Sequence, residues 1–174
     1  MDRNITVRLL EEQDIPVIYS SFEKAGWNRP PLLLENYLFE QSKGNRTVIV
    51  TYLKAEFAGY VTIKWKSDYP PFAEKGIPEI VDLNVLPSFQ RRGIGSALMD
   101  RAEELIYKCS PIAGIGVGLF SDYGPAQCMY VLRGYVPDTL GLAYKGQRVT
   151  RGQQVNVDDD LILYFTKERQ KGSS

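Results

Sequence analysis

Apolar and polar positions change period several times along the chain, and each change marks an element. Ile5 to Leu10 alternates and predicts a strand, whereas Ile15, Ile18, Tyr19 and Phe22 recur at helical spacing within Glu11 to Ala25. Gly26 closes that helix, Trp27-Asn28-Arg29-Pro30-Pro31 is a stiff loop, and its prolines lead into a second short helix over Leu32 to Gln41. Arg46 to Leu53 and Glu56 to Lys66 are β-rich runs separated by a tight turn, the pattern of a hairpin. Ser67 to Pro78, with Pro70, Pro71 and Gly76 inside it, predicts a loop.

From Glu79 the order changes. A strand (Glu79 to Leu86), a helix (Gly93 to Tyr107), a strand (Ile112 to Phe120) and a helix (Pro125 to Leu132) alternate as in a parallel βαβ unit. A strand beginning at Tyr135, a polar excursion through Gly141, Gly146 and Gly152, and a last strand from Leu161 to Thr166 complete the chain. An antiparallel first half followed by a crossover half predicts an α/β (α+β) fold, with a mixed central sheet of about six to seven strands flanked by about four helices. No repeat or linker divides it, so residues 1–167 are expected to form a single domain and residues 168–174 a polar tail. No apolar run approaches the ~20 residues of a membrane span, and a cytoplasmic protein with no membrane partner is the expectation.

Composition narrows the chemistry. The 174 residues carry 21 basic and 21 acidic side chains and no histidine. Without imidazole there is no Ser/His/Asp or Cys/His triad, no His zinc site and no His general base. Acid/base work must then fall to carboxylate, tyrosine, lysine, thiol, water or backbone. A net charge of zero gives no bulk attraction to nucleic acid, and none is expected as a partner. Cys109 and Cys128 match no metal or redox spacing and are expected to be buried or bystander thiols; no metal site is expected.

The most informative stretch runs from Glu79 through Asp82-Leu83-Asn84-Val85 to Gln90-Arg91-Arg92-Gly93-Ile94-Gly95-Ser96. A strand enters a glycine turn that opens directly into an amphipathic helix bearing Ile94, Leu98, Ala102, Leu105 and Ile106. Free N–H groups of the helix start, its dipole and the close approach that glycine permits make such a turn an anion site suited to pyrophosphate. A helix entered through glycine with Arg91 and Arg92 merely solvated satisfies the same spacing. A dinucleotide fingerprint would need a third glycine where Leu98 stands, and a Walker loop would need Gly-Lys-Ser/Thr, which is absent.

Gln90-Arg91-Arg92-Gly93-Ile94-Gly95 resembles the Gln/Arg-x-x-Gly-x-Gly/Ala signature of the GNAT family of N-acetyltransferases, at the matching place in the element order. Ala126, Tyr130 and Gly134 resemble a second family stretch, although Tyr123 stands where the family has asparagine and Tyr135 where it has phenylalanine. The resemblance implies a GNAT fold over about residues 5 to 136 and acetyl-CoA as co-substrate. It puts pyrophosphate contacts on Gln90, Arg91, Arg92, Gly93, Ile94, Gly95 and Ser96, and contacts to the pantetheine arm on Leu83, Asn84 and Val85. It further implies acetyl transfer to a primary amine of a small molecule, peptide or protein by direct attack through a tetrahedral intermediate, with Tyr130 protonating the departing thiolate. A non-catalytic acyl-CoA-binding module of the same fold is the alternative, and a homodimer is left open.

The amine must lose a proton, and Glu79, Asp82 or ordered water can take it. Glu79 lies where one branch of the family resembling this sequence has its base, or else it is a solvated carboxylate at a strand start. Strict alternation would put Asp82 and Asn84 on the face opposite Glu79, unless a bulge resets the register. The family resemblance further implies that Trp27 to Tyr37, Ser67 to Pro78 and the region after Val136 shape the acceptor pocket. Asp158-Asp159-Asp160 attracts a cationic amine or is a solvated turn.

Overall fold

The computed structural model describes residues 4–170; residues 171–174, most of the tail expected over 168–174, lie outside the described residues. Within these bounds the chain has five α-helices and eight strands, a mixed α/β fold with one strand and one helix more than the periodicity predicts. Two compact units divide it.

The first unit comprises residues 4–65 and 80–105. It holds β1 (Ile5–Leu9), α1 (Asp14–Lys24), α2 (Leu33–Ser42), β2 (Arg46–Leu53), β3 (Glu56–Lys64), β4 (Glu79–Val85, but for its first residue) and α4 (Ile94–Ile106, but for its last). Strand order is β1-β2-β3-β4. The first three are antiparallel, with Ile5 opposite Leu53 and Leu53 opposite Glu56. That register leaves Lys54 and Ala55 as a two-residue turn, both at positive φ (49° and 69°), which matches the right-handed twist of the hairpin although neither is glycine.

Helix α1 buries the stripe its spacing predicts, and α2 adds Leu34. Ile15, Ile18, Phe22 and Leu34 meet Val48 and Val50 of β2, Phe57 and Tyr60 of β3, and Leu86. Each such side chain contributes about 1.5–3 kcal/mol when fully buried. The α1 entrance is fixed by charge. Asp14 accepts two hydrogen bonds from Arg8 (2.6 and 2.7 Å), one from Tyr52 (2.6 Å) and one from the Glu11 N–H (2.9 Å).

The second unit comprises residues 66–79 and 106–170, with strand order β5 (Ile112–Gly118), β8 (Leu161–Glu168), β6 (Val136–Tyr144) and β7 (Gln147–Arg148). Its pairs are antiparallel, and the β6 register against β8 shifts between Pro137 and Leu142. The strand expected to begin at Tyr135 therefore runs on past the first glycine of the excursion, to Tyr144, and Gln147–Arg148 adds a short strand, while residues 149–160 are turn and loop. Here the sequence signal misleads because Gly141 marks an irregularity inside β6, not its end.

Ser67 to Pro78 is likewise not all loop: Pro70–Lys75 forms the short helix α3. Pro70 and Pro71 occupy first-turn positions, where a missing N–H costs nothing, and Gly76 at φ 63° stops it. Six residues are too few for a periodic signal. On β5, Gly114, Gly116 and Gly118 leave one face bare. A Cβ there would stand 2.4 Å from Phe72, 2.9 Å from Tyr164 and 2.4 Å from Tyr123, respectively, so the glycines seat those rings. The fifth helix, α5 (Gly124–Leu132), carries Tyr130. Cys109 and Cys128 are both exposed, so of the two readings, buried or bystander thiol, burial is excluded for each; among the described residues no group of His, Cys, Asp and Glu could hold a metal ion.

Candidate functional site

In the first unit, the turn ahead of α4 has the backbone an anion site requires. Arg91 and Gly93 both take positive φ (57° and 84°) with Arg92 between them, an alternation that turns successive N–H groups toward one concave side. The first helical bond runs from the Ala97 N–H to the Gly93 carbonyl at 3.0 Å, so the N–H groups of Ile94, Gly95 and Ser96 stand outside the helical ladder. Gln90 reaches back to the Val85 carbonyl at 3.3 Å and so ties the turn to the strand end, while the Arg92 guanidinium lies over the Phe89 ring. Gln90, Arg91 and Arg92 are exposed.

Strand β4 is bulged at Asp82, whose φ is 55°. The irregularity anticipated as an exception to alternation is present, and a set of polar side chains gathers around it. Asp82 accepts from Tyr60 (2.6 Å), Tyr37 (3.0 Å) and the Asn84 amide (2.6 Å). Asn84 Oδ1 accepts from Arg29 at 2.5 Å. The Asn84 amide can point only one way, because Arg29 donates and the Asp82 carboxylate accepts. Burial and the Asp82 charge both push the Tyr60 and Tyr37 phenols up, so each remains a donor.

Gly59 of β3 makes this possible. A Cβ there would stand 2.4 Å from the Asn84 carbonyl oxygen, so the bulged backbone lies directly on it. Sequence reasoning missed Arg29, Tyr37 and Tyr60 as functional residues. Tyr60 reads as strand core and Tyr37 as helix packing; the only signal was Arg29 and Tyr37 falling within the acceptor segment from Trp27. A cavity of about 780 Å³, lined by Val17, Ser20, Lys24, Phe57, Leu86 and Phe89, opens elsewhere in this unit and includes none of the signature residues.

Glu79 and Tyr130 belong to the second unit. Glu79 is buried, 7% exposed, and accepts from Ser67, so it is not a solvated strand-start carboxylate. Its charge, after burial itself, pushes the Tyr164 phenol up. Tyr164 stacks on Tyr69 at 3.6 Å, and Tyr69 donates to Asp138 at 2.9 Å. Tyr130 is 6% exposed, and burial, with a smaller contribution from Tyr123, pushes its phenol up, which keeps it a neutral donor at ordinary pH. Tyr123, at the position of the family's asparagine, packs on Gly118 and donates to Asp159 at 2.9 Å. Tyr144 donates to Asp158 at 3.0 Å, so two carboxylates of the acidic run hold tyrosine hydroxyls.

The sequence matches the model of the acetyltransferase (GNAT) family over residues 13–124, and the chain belongs to that family. Solved structures share its fold. The structure of yncA from Salmonella typhimurium with its cofactor acetyl-CoA is 17% identical, with a TM-score of 0.66 over 98% of this chain and 96% of that one. The acetyl transferase of Salmonella typhimurium that modifies the N-terminal serine of 50S ribosomal subunit protein L7/L12 is 11% identical, with a TM-score of 0.71 over 98% and 97%. A spermidine N-acetyltransferase SpeG chimera from Vibrio cholerae and hSSAT is 15% identical, with a TM-score of 0.66 over 94% and 95%. No curated protein matches the sequence. Among the described residues no helix is long and apolar enough to cross a membrane.

Proposed function

We propose that the chain is an acetyl-CoA-dependent N-acetyltransferase that moves an acetyl group directly to a primary amine. The observation that carries this reading is the turn with left-handed Arg91 and Gly93, tethered by Gln90 to the end of β4 and opening into α4. Amides of residues 91–96 and the cations Arg91 and Arg92 suit the pyrophosphate, and the half-exposed β4 segment Leu83-Asn84-Val85 suits the pantetheine arm. Acetyl-CoA supplies an activated thioester.

The acceptor amine arrives mostly as ammonium, since its ordinary pKa is ~10.4. Glu79 takes the proton through ordered water. Asp82 is less suited to that step, because Tyr37, Tyr60 and Asn84 already occupy its oxygens. It is instead a positioning residue that holds Asn84. The amine nitrogen bonds to the thioester carbon, a backbone N–H near Val85 meets the oxyanion, the nitrogen gives up its second proton to water, and the carbon–sulfur bond breaks as the oxyanion collapses to the amide. Tyr130 then gives its proton to the departing sulfur and regains one from solvent. The structural neighbours act on acceptors as different as spermidine and a protein N-terminus, so the fold leaves the acceptor open.

The test is calorimetric titration with acetyl-CoA followed by an amine panel read by released CoA thiol. Binding with turnover supports the reading. Binding without turnover on any amine favours the alternative, a non-catalytic acyl-CoA-binding module, and absence of binding removes both.

A further inference from the structure

Arginines of the first unit differ in how their charge is met. Arg8 pairs with Asp14 and Arg46 with Glu40. Arg29 pairs with no carboxylate among the described residues. Its sole hydrogen bond there goes to the neutral Asn84 amide, and its Nε–H is shut off from solvent without a partner. An arginine carries five N–H donors in a planar fork and stays charged at any ordinary pH, so this is a half-buried cation with most of its hydrogen-bonding capacity unspent toward the protein.

The fork is also held still. Its guanidinium carbon lies 5.0 Å from the Trp27 ring centroid and 5.7 Å from that of Phe22. Pro30 and Pro31 follow in the chain, and Leu32 beyond them is left-handed at φ 60°. Asp82 offsets the Arg29 charge only through the intervening Asn84 amide, which leaves the edge of the guanidinium for an anion from outside. Asn84 itself falls in the strand segment read above as meeting the pantetheine arm, next to the Val85 N–H read as meeting the oxyanion, so that anion would lie close to the reacting carbon. The matching ligand chemistry is a carboxylate, which accepts two parallel N–H bonds from such a fork.

We infer that Arg29 anchors the acceptor through a carboxylate carried close to its amino group, so that the acceptor is of the amino-acid class. The inference rests on the N-acetyltransferase reading and deepens it. Asp82, with Tyr37 and Tyr60, holds Asn84, and Asn84 aims Arg29.

The test compares an α-amino acid, its carboxamide and its decarboxylated amine, over several side chains. Wild type, Arg29→Met and Arg29→Lys are each assayed by CoA thiol release, with acetyl-CoA affinity measured separately by calorimetry. Wild type is expected to prefer the carboxylate by about tenfold to hundredfold in kcat/KM, mostly through KM. Arg29→Met is expected to erase that preference with acetyl-CoA affinity within about twofold, and Arg29→Lys to restore it in part, because charge returns without the fork. Equal use of carboxylate and carboxamide by the wild type overturns the inference, as does a preference unchanged in Arg29→Met. Acetyl-CoA binding with no turnover of any carboxylate-bearing amine also overturns it while leaving the acetyl-CoA site standing; absence of acetyl-CoA binding overturns both readings.

Discussion

Tyr60 donates its hydroxyl proton to Oδ2 of Asp82 at 2.6 Å, joining the interior of β3 to the residue at which β4 turns left-handed. Tyr60 also accepts from the Asn84 amide at 3.2 Å, so one phenol braces both polar residues of the bulge. Tyr60→Phe removes the donor and leaves a carboxylate oxygen short of a partner. The expected cost is about 1.5–3 kcal/mol, seen as a lower urea midpoint with an unchanged slope. A midpoint equal to wild type would show that the bulge does not depend on this bond.

Gly59 lies under the same bulge, and Gly59→Ala must push the Asn84 carbonyl away or shift β3. About 1–3 kcal/mol of destabilisation is expected, the usual range for overpacking. Weaker acetyl-CoA binding should accompany it, since the displaced backbone is the segment assigned to the pantetheine arm. Calorimetry on the folded variant checks the second effect.

Asp14 gives a pH dependence. Burial pushes its carboxyl up, but hydrogen bonds from Arg8, Tyr52 and the Glu11 N–H outweigh burial and hold it below its ordinary value of 3.8. A depressed carboxylate contributes stability that is full above the unfolded-state value and is lost as pH falls through the folded-state value. The wild type should therefore lose stability below about pH 4 more steeply than Asp14→Asn. At neutral pH the variant should be weaker by about 2 kcal/mol, from loss of charged hydrogen bonds to a partly exposed arginine. Denaturant melts at pH 3, 4, 5 and 7 decide the matter; parallel curves for the two proteins would be the contrary result.

Tyr130→Phe is expected to lower kcat by about 10–100-fold with the acetyl-CoA KM within about twofold, the range of a single general acid. Burial, and less strongly Tyr123, push the Tyr130 phenol above its ordinary 10.0, so its deprotonation should cause no alkaline loss of activity below that pH. An alkaline limb near pH 8 that vanishes in Tyr130→Phe would contradict this, as would unchanged turnover where chemistry is rate-limiting.

Gly93→Glu should abolish acetyl-CoA binding. The backbone there is at φ 84°, which an L side chain rarely adopts, and a carboxylate would stand beside the pyrophosphate position. Intact affinity by calorimetry would remove the turn from the site.

Much of this was legible in the chain. The β-rich run Arg46 to Leu53 gave β2 to the residue, because β-branched and aromatic side chains favour a strand, and Ile94, Leu98, Ala102 and Ile106 gave the inner face of α4, because the helical period follows directly from helix geometry. The glycine turn at Gln90 to Gly95 was legible for a similar reason: its conformation is local, and residue types report it. Short or interrupted elements were not. Six residues of α3 are too few to show a period, and Gly141 sits inside β6.

What the sequence by itself determined is the order of the longer elements, the absence of any imidazole and the glycine turn before α4, all properties of residue type and near neighbours. Only tertiary structure decided that Arg29, Tyr37, Tyr60, Asp82 and Asn84 form one hydrogen-bonded set, or that Glu79 is buried against Ser67. Those partners come from a loop, a helix and two strands far apart in the chain. Side-chain hydrogen bonds at such separation leave no period, and they exist only once β3 and β4 have fixed their register and the bulge at Asp82 has turned its carboxylate toward them.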